Sequence, residues 1–140
     1  MEIKNFKGSF IEQLRNAQKI TERTREYTVG ENGKEISITL IPMESSDVAA
    51  FTKKLDKSDK QIDKMLESAR EIISLYVKQI RDIDDSELEE LGVSSKNELI
   101  NSYFNFNNQS LIMKAIMDFS GESKKEEIDE VFDMADTLKN

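Results

Sequence analysis

Apolar side chains recur at helical spacing along much of this chain, and the longest series lies in residues 59–81. Its members are Ile62, Met65, Leu66, Ala69, Ile72, Ile73, Tyr76, Val77 and Ile80. Because they recur roughly every three or four residues, these side chains share one face of a helix. Ser58 and Gln61 have the spacing of a capping box at its start. We predict that a helix over residues 59–81 forms the centre of the fold.

The N-terminal segment, residues 1–24, carries a thinner apolar stripe. Ser9 and Glu12 have the spacing of a capping box, so we expect Ser9 to be the N-cap of a helix. The apolar positions that follow are Ile11, Leu14, Ala17 and Ile20. Basic residues flank this stripe, which is typical either of a docked helix or of a mobile helical arm that folds on a partner.

Residues 25–41 change to a period of two. Tyr27 and Val29 precede a glycine-containing segment at 30–34, and β-branched and polar residues then alternate over 36–40. Such alternation is typical of a strand, and the Asn-Gly pair in the intervening segment favours a hairpin turn. Pro42 stops the second strand. Because an isolated hairpin is marginal in water, we expect it to pack on helices or on another sheet.

Beyond Pro42 the pattern predicts a series of shorter helices. Ser45 or Ser46 caps the first, and the acidic residues 82–91 form a loop with at most one short helix, ended by Gly92. The starts and ends of the remaining helices are assigned to Ser95, Asn107-Asn108, Gly121 and Ser123. Their buried positions are assigned to Leu99, Ile100, Tyr103, Phe104, Leu111, Ile112, Ala115, Ile116, Phe119, Ile128, Val131, Phe132, Ala135 and Leu138.

Together these elements predict a mainly α fold with one N-terminal β-hairpin, a small helical domain of the α+β class. We expect one domain over residues 1–140, with the helical arm at 1–24, the hairpin at 25–41 and a helical part at 44–140. A chain of this length suits a single core. With 34% charged and 37% hydrophobic residues, that core is modest.

The charge of the chain, −8 at neutral pH, is unevenly distributed. Residues 1–25 hold six bases and three acids, residues 82–91 hold six acids and no base, and residues 118–140 hold eight acids and three bases. These segments are either solvated faces or surfaces that pair within or between molecules, and we expect self-association. The acidic balance opposes contact with phosphate, so we expect no nucleic-acid partner.

The composition excludes several kinds of chemistry and location. The chain has no histidine and no cysteine, so it lacks the commonest general base near neutral pH, a thiolate nucleophile and sulfur ligands for metals. The stretch that begins at Asp82 lacks the glycine and the final glutamate of a calcium loop. We therefore expect no enzyme, no metal and no cofactor. No apolar run reaches the ~20 residues needed to cross a bilayer, and residues 1–10 lack a signal-peptide pattern, so we expect a cytoplasmic protein without a membrane partner.

Three apolar residues are poorly explained by a single core and are candidate partner-binding residues: Phe10, Leu14 and Phe106. Phe106 falls off the helical stripe and is either an exposed anchor or a residue buried at a helix end. The methionines at 113, 117 and 134 flank apolar stripes, where they serve either as core or as an adaptable binding surface.

Two parts of the chain resemble a known family. The first is the strand–proline–capped-helix run Ile36–Pro42, which continues into Ser45–Phe51. The second runs from Leu91-Gly92-Val93 through Leu99-Ile100 to Leu111–Gly121. Together they resemble the tail assembly chaperones of long-tailed phages and prophages of Gram-positive bacteria, over most of residues 25–121.

The resemblance implies a function without catalysis. Such a chaperone coats the long helical tape-measure protein and keeps it soluble until the tail tube protein polymerises around it. The partners implied are the tape-measure protein, the tail tube protein and further copies of the chaperone. It would act in the host cell cytoplasm and be absent from the mature virion. The family often makes a second, longer product by ribosomal frameshifting.

Two other functions remain open from the residues alone. A small acidic helical protein could be a DNA mimic that inhibits a nucleic-acid enzyme, although the basic residues in 1–25 argue against an all-acidic surface. It could also be a helical adaptor for an unrelated protein partner.

Overall fold

The computed structural model describes residues 3–17, 23–31, 33–56, 61–122 and 124–139. In chain order the elements in these ranges are α1 (Ile3–Asn16), β1 (Arg25–Val29), β2 (Ile36–Leu40), α2 (Ser45–Leu55), α3 (Ile62–Tyr76), α4 (Lys78–Arg81), α5 (Asp85–Glu90), α6 (Lys96–Tyr103), α7 (Phe106–Phe119) and α8 (Lys125–Lys139). The predicted fold class is confirmed: the protein is mainly helical, with one antiparallel hairpin near its N-terminus. Ile20, Asn32, Ser58 and Ser123, which the sequence analysis used, lie outside the described residues.

Helix α3 lies at the centre of the core, as its apolar stripe predicts. Every apolar position of the stripe from Ile62 to Tyr76 is buried. Helices α6, α7 and α8 all pack against α3. The fully buried side chains of α7 include Ile112, Met113, Ile116 and Met117. Met113 and Met117 are therefore core residues, whereas Met134 on α8 is 41% exposed.

The prediction of one continuous helix over 59–81 is wrong at Val77. This residue has an extended backbone (φ −99°, ψ 110°), and the helix resumes as α4 at Lys78. Val77 forms a β-bridge with Leu40, and the Ile41 N–H donates to the Tyr76 carbonyl at 2.9 Å. Neither proline nor glycine occurs in residues 62–91. The break therefore has a tertiary cause: the backbone of Val77 leaves the helical conformation and pairs with the edge of β2.

The hairpin has the predicted antiparallel pairing, with Arg25 opposite Leu40 and Val29 opposite Ile36. Gly30, in the connection, has a φ of +112°, and a Cβ there would lie 2.8 Å from the backbone oxygen of Lys34. A side chain at this position would therefore be strained. The strand β2 ends at Leu40, just before Pro42, as expected.

The expected packing of the hairpin against helices is also confirmed. Strand β1 contacts α7, where Arg25 Nη1 lies 3.3 Å from Asp118 Oδ2. The Arg25 guanidinium also lies 4.7 Å from the centroid of the Phe119 ring. Just beyond the same end of β2, the Tyr76 hydroxyl donates to Asp47 Oδ2 and accepts from the backbone N–H of Glu44 at 3.2 Å. The hairpin and the start of α2 are thus anchored to α7 and α3.

Two predicted caps are wrong. Helix α1 begins at Ile3, so Ser9 lies inside the helix and is not its N-cap. Gly8 disfavours the helix interior by about 1 kcal/mol relative to alanine but does not end the helix. The N-cap of α2 is Glu44, without a side-chain cap hydrogen bond, rather than Ser45 or Ser46.

Side-chain hydrogen bonds cap the helix within the acidic segment 82–91 and the helix that follows it. Helix α5 is the single short helix allowed there, and Gly92 follows it with a φ of +75°. Asp84 accepts from the Glu87 N–H at 2.8 Å, and the Glu87 side chain accepts from the Asp84 N–H at 3.2 Å. This capping box was not predicted, although Asp84 and Glu87 have the same spacing as the serine-led boxes. Ser95 caps α6 as predicted, accepting from the Glu98 N–H at 3.1 Å.

The boundary between α6 and α7 differs from the prediction. The helices separate at Phe104 and Asn105, and Asn107-Asn108 lies in the first turn of α7 rather than in a break. Asn105 is the N-cap of α7: its side chain accepts from the Asn108 N–H at 2.8 Å. Phe104 is buried as expected, but Tyr103 is 48% exposed, so its assignment to the core is wrong. Its position at the end of α6 leaves the side chain half exposed, with its hydroxyl donating to the Leu91 carbonyl at 3.3 Å.

Candidate partner-binding surfaces

The α1 face is defined here as Phe10, Ile11 and Leu14, and it is the first candidate surface. These side chains are 56%, 48% and 56% exposed. They lie within about one turn of each other and share one side of the helix. All side chains described on α1, in residues 8–16, are exposed. Two of the three predicted partner-binding residues, Phe10 and Leu14, therefore lie together on an accessible apolar face, and their binding role stays a prediction.

A basic residue lies beside the α1 face. Arg15 comes about one turn after Ile11 and falls on the same side of the helix as Ile11. Arg15 is in the last turn, where a cation interacts favourably with the helix dipole. The segment thus combines exposed apolar area with positive charge.

Phe106, the third predicted residue, belongs to a different surface. It is the first residue of α7 and is half-buried against the core. Its ring centroid lies 6.3 Å from that of Phe132 on α8, with the ring planes tilted by 59°. Such a tilted contact is favourable for aromatic rings. Phe106 therefore contributes to packing and presents only part of its ring to a partner.

Phe106 also lines a cavity of about 420 Å³ between α3, the α6–α7 junction and α8, hereafter the α3–α7 cavity. Its apolar wall consists of Ile62, Leu66, Phe104, Phe106 and Ala135. Its polar residues are Asp63, Arg70, Asn101, Asn105 and Gln109. Asn101 and Asn105 are exposed, whereas Gln109 is fully buried, so the cavity runs from solvent to the core.

Two buried polar atoms of residues in the α3–α7 cavity have no hydrogen-bond partner: Gln109 Oε1 and Arg70 Nε. The other end of the Gln109 amide is satisfied, because Nε2 donates to the Phe104 carbonyl at 2.7 Å. Burial lowers the pKa of the Arg70 guanidinium, and the nearby carboxylates of Glu67 and Asp63 act in the opposite direction.

Neither Gln109 nor Arg70 was predicted from the sequence. Gln109 stands at helical spacing from Ile112 and Met113, and Arg70 stands one turn after Leu66. A polar side chain at a position of the apolar face was the available signal. Buried polar groups ordinarily find partners, so these two atoms are unusual.

The outer face of α8 forms a shallow acidic groove lined by Glu126, Asp129, Glu130, Asp133, Met134 and Thr137. Lys114 of α7 lies 2.6 Å from Asp129. The hydrogen bond from Lys114 lowers the pKa of the Asp129 carboxyl, so this carboxylate is held in its charged form. The groove is opposite in charge to Arg15 beside the α1 face, and like that face it exposes an apolar side chain, here Met134.

Within the described ranges, no three acidic side chains are arranged so that they could hold a metal ion. None of the helices in the part of the chain that the structure describes is long and apolar enough to cross a membrane. Comparison of the chain with protein-family models, with curated proteins and with solved structures finds no match.

Proposed function

We propose that this protein is a chaperone for an apolar helical protein, and specifically the tail assembly chaperone of a long-tailed phage or prophage. The single observation that carries the proposal is the α1 face, because Phe10, Ile11 and Leu14 expose large apolar side chains on one side of a helix. Amphipathic helices recognise partner helices through such a face. The resemblance over residues 25–121 supplies the identity of the partner, the tape-measure protein.

The mechanism requires reversible contacts. Each copy would cover part of the apolar surface of the tape-measure protein, which would otherwise aggregate. Burial contributes about 25 cal/mol per Å² of apolar area, so one narrow helix face binds weakly and many copies are needed along the partner. The tail tube protein would then displace the chaperone as it polymerises. We place this function in the host cell cytoplasm, outside the mature virion, and assign it no catalysis, metal, cofactor or nucleic acid.

The experiment compares two double variants of α1 in a co-solubilisation assay with the tape-measure protein. Phe10→Asp with Leu14→Asp places two charges in the α1 face. Ser9→Asp with Asn16→Asp places two charges on the opposite side of the same helix and is the matched control.

We expect the Phe10/Leu14 variant to lose the partner from the soluble fraction, while the control keeps it. Both should retain the far-UV circular dichroism of the unchanged protein. If the Phe10/Leu14 variant still keeps the tape-measure protein soluble, the α1 face is not the binding surface. If the unchanged protein cannot keep it soluble, the chaperone proposal fails.

Self-association is part of the same proposal. The basic segment 1–25 would contact acidic residues of a neighbouring copy, in the groove of α8 or in the segment 82–91. Exposed charges are screened beyond about 10 Å at 0.1 M ionic strength, so the association should weaken with salt. Light scattering at low and high salt measures it, and a monomer at every concentration and salt would remove this part of the proposal.

A further inference from the structure

The outer edge of β1, on the side away from β2, presents backbone groups that the hairpin does not use. In an antiparallel pair, the backbone groups of successive residues point alternately towards the partner strand and away from it. The Thr39 N–H donates to Gln79 Oε1 at 2.8 Å, so at this position β2 points away from β1. Thr39 is opposite Glu26, and two residues along, Ser37 is opposite Thr28. The N–H and C=O groups of Glu26 and Thr28 therefore point away from β2, to the outer edge of β1.

Within the described residues, no other backbone pairs with this edge. Neither Glu26 nor Thr28 makes a backbone hydrogen bond to a residue outside the hairpin, and both residues are exposed. Their side chains bond only across the hairpin: Thr39 Oγ1 donates to Glu26 at 3.0 Å, and the hydroxyls of Thr28 and Ser37 lie 3.3 Å apart. An open strand edge is a template to which a further extended segment can add by main-chain hydrogen bonds.

A cavity of about 310 Å³, hereafter the β1 cavity, adjoins the inner face of this strand. Its charged residues are the bases Arg25, Lys114 and Lys125 and the acid Asp118, and its apolar residues include Tyr27 and Leu111. No residue of β2 lines it, so it lies on the side of the hairpin where β1 is the edge. Three bases and one acid give the lining a formal charge of +2, whereas the whole chain carries −8. The cavity therefore favours an acidic group.

Lys125 is the base of the β1 cavity that is available to a further anion. Arg25 lies 3.3 Å from Asp118 and Lys114 lies 2.6 Å from Asp129, so these two bases already have carboxylate partners. Lys125 is exposed at the first residue of α8, and its side chain forms no ion pair with any residue that the structure describes. A carboxylate that enters the cavity would therefore meet an ammonium group without a competing partner.

We propose that the edge of β1 and the β1 cavity together bind an extended segment of a partner polypeptide that carries a carboxylate side chain. In antiparallel pairing, the partner residues opposite Glu26 and Thr28 exchange backbone hydrogen bonds with them. The partner residue between those two lies opposite Tyr27, and its side chain points to the same face of the sheet as Tyr27, towards the β1 cavity. An aspartate or glutamate at this position brings its charge to the basic lining. The partner segment is extended rather than helical, so the inference goes beyond the chaperone function proposed for the α1 face.

The test is an NMR titration of the full-length protein with short peptides, combined with amide hydrogen exchange. The first probe is acetyl-Val-Thr-Glu-Thr-Val-amide, whose glutamate takes the position opposite Tyr27. The second has lysine in place of that glutamate, and the third is N-methylated at both threonines, which removes the N–H groups that would donate to β1. We expect the first probe to bind saturably and to slow exchange at the amides of Glu26 and Thr28. The N-methylated peptide should bind about tenfold more weakly, since it loses two hydrogen bonds, and the lysine peptide several-fold more weakly.

Lys125→Glu reverses the charge that would attract the carboxylate. We expect it to weaken binding of the glutamate peptide several-fold and to strengthen binding of the lysine peptide. The fold should be kept, because a glutamate in the first turn of a helix interacts favourably with the helix dipole. Lys78→Glu is the matched control: it makes the same change of charge at an exposed lysine of α4, outside the β1 cavity, and should leave both affinities unchanged.

Each contrary result overturns the proposal in a distinct way. Slow exchange of the Glu26 and Thr28 amides in the free protein would mean that the edge is already paired, and with a second copy if the slowing depends on protein concentration. Equal binding of the N-methylated peptide would exclude strand addition, and equal binding of the lysine peptide would exclude recognition of a carboxylate. The absence of saturable binding of the glutamate peptide would remove the site altogether. None of these results bears on the α1 face, so the failures of the two proposals are distinguishable.

Discussion

Helices α1 and α3 share the same amphipathic sequence pattern, but the apolar face is exposed in α1 and buried in α3. They contain 14 and 15 residues, and each carries apolar side chains along one face. In α3 that face is buried by α6, α7 and α8, with Ile73 fully inaccessible. In α1 the side chains of Phe10 and Leu14 are each 56% exposed.

The difference teaches what hydrophobic periodicity can and cannot predict. Periodicity states which side chains share a face, because it follows from the geometry of one helix. It does not state whether the surface that covers this face lies in the same chain. The stripe of α3 is long and unbroken, whereas that of α1 is short and flanked by bases. The length of the apolar stripe and the charge of its flanks are thus the sequence features that distinguish α3 from α1.

The largest effect that would test this comparison is on stability. Ile73→Ala should lower the free energy of unfolding by about 2–4 kcal/mol, because it leaves a cavity in the core. Leu14→Ala, a similar truncation on α1, should change it by less than about 0.5 kcal/mol. Urea unfolding followed by circular dichroism measures both. Similar losses in the two variants would show that the α1 face is covered by its own chain.

A smaller effect is expected at the end of α3, where Tyr76 donates to Asp47. Tyr76→Phe should destabilise the protein by about 1 kcal/mol at neutral pH, because it removes a partly buried hydrogen bond. Burial, together with the hydrogen bond to Asp47, raises the pKa of Tyr76 to about 12 from an ordinary value of 10.0.

The raised pKa sets a pH window for this stabilisation. A group whose pKa is higher in the folded state favours folding below its unfolded pKa and loses that effect as the pH rises through its folded pKa. The difference in unfolding free energy between the unchanged protein and Tyr76→Phe should therefore be full below about pH 10 and fall towards pH 12. Unfolding curves of both proteins at several pH values measure it, and a difference that persists unchanged to pH 12 would contradict the assigned hydrogen bond.

The smallest effect concerns two serines that share the same S-x-x-E pattern. Ser95 caps α6, so Ser95→Ala should cost about 1 kcal/mol. Ser9 lies inside α1, where alanine is the better helix former, so Ser9→Ala should leave stability unchanged or slightly raise it. Thermal unfolding of the two variants side by side compares them. A loss at Ser9 equal to that at Ser95 would mean that α1 begins at Ser9 after all.

Much of the fold could be predicted from local patterns. The stripe of α3, the hairpin and the cap at Ser95 depend on residues close together in sequence, and all three are observed. The break at Val77 could not be predicted, because its cause is a strand edge that comes from a distant part of the chain. The position of Tyr103 was missed for a related reason: helical spacing alone does not show where the covering helices end.

The candidate surfaces also differ in how far they could be predicted from the sequence. Phe10 and Leu14 were predicted from sequence, because an apolar stripe with basic flanks is a local feature. The α3–α7 cavity was not, because it is created by the meeting of three helices. Gln109 and Arg70 stand on apolar faces in sequence, yet only the packed structure shows that one atom of each lacks a partner.

The bridge between Leu40 and Val77 has a consequence for the order in which the chain acquires its structure. The outer edge of β2 is completed by acceptors far away in sequence: the Thr39 N–H donates to Gln79 Oε1 across 40 residues at 2.8 Å, and the Ile41 N–H donates to the Tyr76 carbonyl. Closing so long a loop has an entropic cost that only the packed core offsets. In a native-state hydrogen-exchange experiment the amides of Thr39 and Ile41 should therefore exchange with the same opening free energy as the middle of α3, as one cooperative unit.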